Sequence, residues 1–445
     1  MIRFTFSIMI LLLLSCKKES DSDQKDAAFD PSSPVRVTDF APLQGGLGSP
    51  IVINGENFGN DTSKVEVYFN NKKALILNLK QNNIYALVPK QPGDSSIIKV
   101  VVKHGQNEEA FKEGALETKK FAYNIRATVT TVAGVFNEQG TNDGSALEAK
   151  FTRPSMLTVT DDGNVFISDD NAGRVALLSL VDNKVVTLTN TFNYPWQSAT
   201  SIDQNTIYVT DRNSGSRPNI FKAFYREDNW LSPDVFYDQK DASSNFIMGS
   251  TTITGLAASD KYVYQISQNG SKLIRTDLES REVKLIGQNL NLSSWNYLAY
   301  NKKDGCVYIA AEEWARVYKF NTKNAAGEYK SSISNEDLEL VAGLGRGSVK
   351  EGVGSQAQFG YLSGIACDGD GNIYTCDYQN HVIWKITNDE HRATVFAGKP
   401  GVSGYKDGAP KESEFNSPYS VTSTSDGILY VADMQNRVIR SIAVQ

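Results

Sequence analysis

From about residue 35 onward the chain is written in short runs whose apolar and polar positions alternate, or whose apolar residues fill four to six consecutive places. Each run is closed by Gly, Asn, Asp, Ser or Pro. Alternation with period two places one set of side chains on each face of a strand, so the pattern predicts strands throughout. Between residues 35 and 125 the runs are PIVING, KVEVYF, ALILNL, NIYALV and IIKVVV, at intervals of about ten residues. That spacing fits an all-β sandwich of the immunoglobulin-like kind.

From residue 126 to 445 the runs repeat. GNVFISDDNAGRVALL from Gly163, GNIYTCDYQNHVIWKI from Gly371 and GILYVADMQNRVIRSI from Gly427 share one plan. Each is a turn, an apolar strand, a polar loop with Asp and Asn, and a second apolar strand. Weaker copies begin at Asn205, Lys261 and Gly305, which puts Asp169, Asp211, Ser267, Ala311, Asp377 and Asp433 in register. Six units of about four strands, each unable to cover its own sheet faces, predict a six-bladed β-propeller. The last copy stops at its third strand, RVIRSIAV, while TVTTVAG at 128–134 matches LELVAG and ATVFAG, which follow earlier third strands. The N-terminal segment is therefore expected to complete the sixth blade and remove an exposed edge.

Two resemblances sharpen this all-β reading. FAPLQGG (Phe40, Pro42, Gly45, Gly46), IVINGENFG (Gly55, Asn57, Phe58, Gly59) and YALVP ending at Pro89 resemble the IPT/TIG immunoglobulin-like family, whose domains often act as spacers. The repeats resemble the NHL family: an F-x-x-P lead-in (Phe151 and Pro154, Phe415 and Pro418), a DGN-(I/L)-Y-V-A-D strand and an N-x-x-I-x-K-I strand.

The N-terminus changes the picture again. Arg3 and the apolar run Ile8–Leu14 read as a signal peptide over residues 1–15, too short to span a bilayer stably. Leu13, Leu14 and Ser15 before Cys16 resemble the bacterial lipobox, which implies lipidation of Cys16; the alternative is a plain secretory signal beside an unrelated cysteine. Two or more acyl chains would anchor the protein lastingly. KKESDSDQKD resembles the surface-export signal of Bacteroidetes lipoproteins, which implies the outer membrane, facing the exterior. Residues 16–34 are polar and expected to be a flexible tether. With 45 Lys+Arg against 51 Asp+Glu, the net charge of −6 argues against a nucleic-acid partner.

Catalytic chemistry finds little footing. G-x-S-x-G, H-E-x-x-H and P-loop patterns do not occur, and the histidines are His104, His381 and His391. No catalytic residue, metal ligand or cofactor is assigned. The periodic Asp169, Asp211, Asp377 and Asp433 are expected to tie down loop amides. The DGDGN run (Asp368, Asp370, Asn372) lacks the glycine and glutamate of a calcium loop and reads as a hairpin turn.

Aromatic residues are the candidates for binding. The loops that lead into the inner strands and those between second and third strands open on one propeller face. They carry Tyr194, Trp196, Trp295, Tyr297, Trp314, Tyr361, Tyr378 and Tyr419, with Arg153, Asn296, Glu312, Glu313, Gln379 and Gln435 as polar companions. Ring faces stack on the apolar face of a sugar while amides and carboxylates take its hydroxyls, so the set suits a polysaccharide or oligosaccharide. The competing expectation is that these rings close the blade ends. Trp384 is expected to pack between blades, and Trp230 either rims the face or fills a loop core. The whole layout resembles the accessory glycan-binding lipoproteins of Bacteroidetes polysaccharide-utilisation systems. Two other readings stay open: a protein-interaction module docking on an outer-membrane transporter or another surface lipoprotein, and a metal-dependent lyase or lactonase.

Overall fold

The structure is a computed structural model that describes residues 28–80, 82–89, 95–105, 110–123, 127–212, 219–249 and 251–444. Cys16, the leader and the first part of the tether lie outside the described residues. The described chain is β-strand joined by turns and short 3-10 segments.

The N-terminal unit is a sandwich. One sheet orders Arg36–Ala41, Pro50–Glu56, Asn83–Leu87 and Leu75–Lys80; the facing one orders Ala110–Ala115, Ile98–His104, Val65–Phe69 and Lys72–Lys73; and a small third sheet orders Gln44–Gly45, Phe121–Tyr123 and Ser95–Ser96. Alternate residues point inward, so Ile51, Ile53, Val65, Val67, Phe69, Ile84, Val100 and Val102 form its core. Phe58 is fully buried under the Gly55 turn, where a Cβ would stand 2.1 Å from its ring. Residues 28–34, assigned above to the tether for their polarity, run along the sandwich instead. Phe29 packs against the core with its ring 5.3 Å from His104, and Asp30 N–H donates to Asn57 Oδ1 at 2.8 Å. One aromatic residue outweighs the polar composition around it.

The second unit is a six-bladed propeller. The inner strands Pro154–Val159, Pro195–Thr200, Ile253–Ala258, Asn296–Asn301, Leu362–Cys367 and Pro418–Ser423 touch one another in a closed circle. In the sixth blade Val438–Val444 pairs antiparallel with Ala127–Ala133, Ala127 opposite Val444. The N-terminal strand thus supplies the outer edge, as the repeat predicted, and both ends of the domain are held in one sheet.

The repeat has a physical logic. Asp169 accepts from the Thr152 and Arg153 amides, Asp211 from Asn193 and Tyr194, Asp377 from Gly360 and Asn380, and Asp433 from Asn416. Each carboxylate ends a second strand and fixes the loop that leads into the inner strand. A third-strand donor reaches the same carboxylate in three blades: Arg174 at 3.8 Å, Trp384 at 3.4 Å and Arg440 at 2.9 Å. Beneath these donors lie the lead-in phenylalanines: Phe151 under Arg174, Phe359 against Trp384 and Phe415 under Arg440. In the second blade Lys222 stands over Phe192, 4.0 Å from its centre. The lead-in Phe, followed by Pro three residues on at Phe151, Phe192 and Phe415 but not at Phe359, is the platform on which the third-strand side chain rests. Where the third blade lacks an aspartate, Asp238 accepts from Met248 and Gly249 N–H; in the fourth, Glu313 accepts from Ser294 N–H.

Candidate functional site at the propeller mouth

The second residue of each inner strand points into the central channel on the face where the lead-in loops open. In register these are Ser155, Trp196, Thr254, Tyr297, Ser363 and Tyr419. Small and large side chains alternate from blade to blade, which lets three aromatic rings fit a space too narrow for six. Trp196, Tyr297 and Tyr419 meet with centroids 5.9–6.4 Å apart and close the channel. Trp196 Nε1 donates to the Thr254 carbonyl at 3.2 Å.

This corrects two assignments. Trp196 is 1% exposed and Tyr297 is 0% exposed, so neither offers a free face for stacking. Both lie in inner strands rather than loops, and rings from blades across the channel cover them. They form the floor of the site. Tyr419 is partly buried at the same level.

Above the floor the mouth is built from pairs. The amide that follows the end of a second strand donates to the carbonyl of the residue just before an inner strand, at 2.7–3.3 Å. This joins Arg153 with Asp170, Tyr194 with Arg212, Thr252 with Gln268, Trp295 with Glu312 and Tyr361 with Tyr378. Tyr194, Trp295, Tyr361 and Tyr378 are partly buried, so each keeps part of its surface accessible. They are continuous with the floor: Trp295 lies 5.7 Å from Trp196, Tyr378 lies 5.4 Å from Tyr419, and Tyr361 stacks on Tyr378 at 5.6 Å. Seven of the eight predicted aromatic residues therefore converge. Trp314 sits partly buried in the turn of the fourth blade, and among the described residues no ring stacks on it.

Glu312 is the polar centre. It is buried and accepts from Tyr297 Oη and Tyr378 Oη, both at 2.8 Å. Burial raises its carboxyl above the usual range, and the two hydroxyl donors partly offset that. Burial also holds the Tyr297 and Tyr378 phenols well above their usual value, so both remain donors. Asp170 is fully buried; burial raises it too, opposed by Arg153, which bonds it at 2.7 Å, and by Arg212.

Of the polar companions, Gln379 and Gln435 are exposed, Glu313 holds the Ser293–Ser294 turn, and Asn296 is buried and donates to the Ser293 carbonyl. The sequence reading overlooked Arg212, Arg346 and Asp170. The signal was available for two of them: Asp170, Arg212, Glu312 and Tyr378 all follow the strand-end register position. Elsewhere, Trp384 is fully buried between blades as expected, while Trp230 neither rims the face nor fills a loop core: it packs in the cluster between the first two blades, 5.0 Å from Phe166. Asp368 accepts from the Asp370 and Asn372 amides, which makes DGDGN a hairpin turn.

Comparison with known proteins agrees with this architecture. Residues 34–117 match the IPT/TIG domain family. Protein SUPPRESSOR OF QUENCHING 1, chloroplastic, of Arabidopsis thaliana is 23% identical over 322 residues, which is 69% of this chain and 26% of that protein. The chain thus spans about a quarter of the length of that relative. Among solved structures, a protein of unknown function from Bacteroides thetaiotaomicron is 26% identical with a TM-score of 0.64, covering 94% of this chain and 100% of that one. An auxiliary nutrient binding protein from the same species is similar at 21% identity and a TM-score of 0.60, covering 94% and 99%. Another from Bacteroides ovatus is similar at 20% and 0.59, again covering 94% and 99%. These likenesses show that the fold, sandwich and propeller together, is shared along nearly the whole chain.

Proposed function

We propose that this protein is a nutrient-binding lipoprotein of the outer membrane, anchored through Cys16 and facing the exterior, that captures glycan at the propeller mouth. The observation that carries the reading is the concave aromatic surface itself. Partly exposed Tyr194, Trp295, Tyr361 and Tyr378 stand above a closed three-ring floor, with hydrogen-bonding side chains between them. Such a surface offers stacking planes at low entropic cost beside fixed polar groups. The solved auxiliary nutrient binding proteins with this fold support a role in nutrient uptake.

Affinity electrophoresis and calorimetry of the purified protein against a glycan panel test the proposal. Retention by at least one polysaccharide, lost in Trp295→Ala without a change in Tm, is expected; retention by none refutes it. For the anchor, Cys16→Ser is expected to move the protein from the membrane fraction to the soluble fraction, and protease treatment of intact cells is expected to digest the wild type. An intact, protease-resistant protein would refute the surface location.

One observation favours protein docking as a second reading. Where the sandwich meets the propeller, Leu75 (41%), Leu77 (37%) and Val181 (58%) are exposed around a hollow lined by Leu47, Leu180 and Ile428. Co-purification of an outer-membrane barrel, lost in Leu77→Asp, would support that reading.

A further inference from the structure

We infer that the glycan taken at the mouth is acidic, carrying carboxylate or sulfate groups, and that Arg212 is the residue that reads the charge. The inference rests on the glycan reading and adds the ligand's chemical class. Arg212 is partly buried, with its guanidinium carbon 4.2 Å from the centre of the Trp196 ring, 5.1 Å from Tyr194 and 5.5 Å from Trp295. Among the described residues its side chain has no hydrogen bond and no ion pair. With Tyr194, Thr252 and Trp295 it lines an open hollow.

A guanidinium carries five N–H donors and stays charged at any physiological pH. Stacking on rings fixes its plane and leaves its edge donors free, which is the geometry that grips a carboxylate or sulfate with two parallel bonds. Among the described residues, Arg212 therefore presents a ring-stacked fork with no hydrogen-bond partner inside a concave aromatic site.

The surroundings agree in charge. Arg346 lies over Tyr361, 4.8 Å from the ring centre, and donates to its hydroxyl; it has no carboxylate partner among the described residues. Arg153 and Arg212 both act on Tyr419 and on buried Asp170. The acidic groups close by are engaged inward: Glu312 by two tyrosines, Glu313 by the Ser293–Ser294 turn and Asp170 by Arg153. Among the described residues, the charged side chains at the mouth left without a carboxylate partner are Arg212 and Arg346, although the whole chain is net −6. General attraction of polyanions is thus disfavoured, and the local arrangement stands out against it.

Matched glycans test this: polygalacturonate against its fully methyl-esterified form, and chondroitin sulfate against desulfated, carboxyl-esterified chondroitin. The full-length protein should bind at least one acidic member at least tenfold more tightly than its neutral counterpart. Binding should weaken between 50 and 500 mM NaCl, as expected for partly exposed charges. Arg212→Met should remove that tenfold preference, and Arg212→Lys should restore only part of it, because an ammonium lacks the fork. Tm reports whether each variant folds, and Arg346→Met at the rim gives a second, independent probe. Binding of neutral polysaccharide that depends on Trp295 but not on Arg212 or salt would overturn the inference while leaving glycan capture intact. Binding of no glycan in either class would overturn both.

Discussion

Replacing Arg440 by Met probes what holds the closing blade together. Arg440 and Asp433 are both 0% exposed, in a blade whose outer strand comes from the other end of the domain. Arg440 bonds Asp433 at 2.9 Å, the Glu414 carbonyl at 3.2 Å, the Lys406 carbonyl at 2.8 Å and Asp407 at 3.1 Å. Met keeps the aliphatic stem over Phe415 but leaves Asp433, among the described residues, with Asn416 N–H and Asn436 Nδ2 as donors. Breaking a buried pair from one side costs about 3–5 kcal/mol, chiefly because the remaining charge is uncompensated. The Asp407 contact adds little, since that carboxylate is 45% exposed. At roughly 1.5–2 °C per kcal/mol for a unit of this size, Tm should fall by roughly 5–10 °C at pH 7.5.

The pH dependence makes the argument sharper. Burial pushes Asp433 up to about 6 despite the pull of Arg440, and removing Arg440 raises it further. An acid with a raised folded pKa binds its proton more tightly when folded. Its contribution to stability is full below the unfolded value near 3.9 and is lost as pH rises through the folded value. The variant's deficit should therefore shrink between pH 7.5 and pH 5.5, by about 1.4 kcal/mol for each unit by which its Asp433 exceeds that of the wild type. Scanning calorimetry at both pH values, with the double variant Asp433→Asn/Arg440→Met, measures this. An equal deficit at both pH values, or a double variant no more stable than Arg440→Met at pH 7.5, would refute the reasoning.

Three further outcomes are expected. Glu312→Gln removes a buried acid whose pKa is raised by burial, so its Tm relative to wild type should climb from pH 4.5 to pH 8, measured by thermal shift; a flat difference contradicts the assignment. Val129→Asp buries an unpaired carboxylate in the strand that closes the ring, and should cost several kcal/mol and expose the 127–133 segment to limited proteolysis; wild-type protease resistance would count against the closure. Trp384→Ala empties a fully buried site against Phe359 and should cost about 3–5 kcal/mol in denaturant unfolding, where a loss below 1 kcal/mol would contradict the packing.

Much of this protein is legible along the chain because strand periodicity and turn residues are local. The alternation in KVEVYF and IIKVVV, the strand-end register of Asp169 to Asp433, and the unpaired third strand RVIRSIAV required the sandwich, the six blades and the shared sixth blade. Even the work of the aspartates followed, since a short acceptor repeated at one junction has loop amides within reach. Exposure is different, because it depends on what another blade places over a residue. Trp196 and Trp295 are both tryptophans at the start of an inner strand, one just inside it and one just before it, yet one is floor and the other rim. The difference is two register positions: Trp196 is the second residue of its strand and meets Thr254 of the next blade and Tyr297 across the channel, whereas Trp295 stands just before its strand. Phe29 joined the sandwich for the same reason: a surface far along the chain was there to receive it. Arg212, which follows an aspartate in an unremarkable loop, became a ring-stacked cation, without a hydrogen-bond partner among the described residues, only when three rings from two blades closed around it. Side-chain pattern along a strand decides which face is buried. Whether a ring or a charge at the end of that strand is available to a ligand is decided by contacts between blades, which the tertiary structure alone contains.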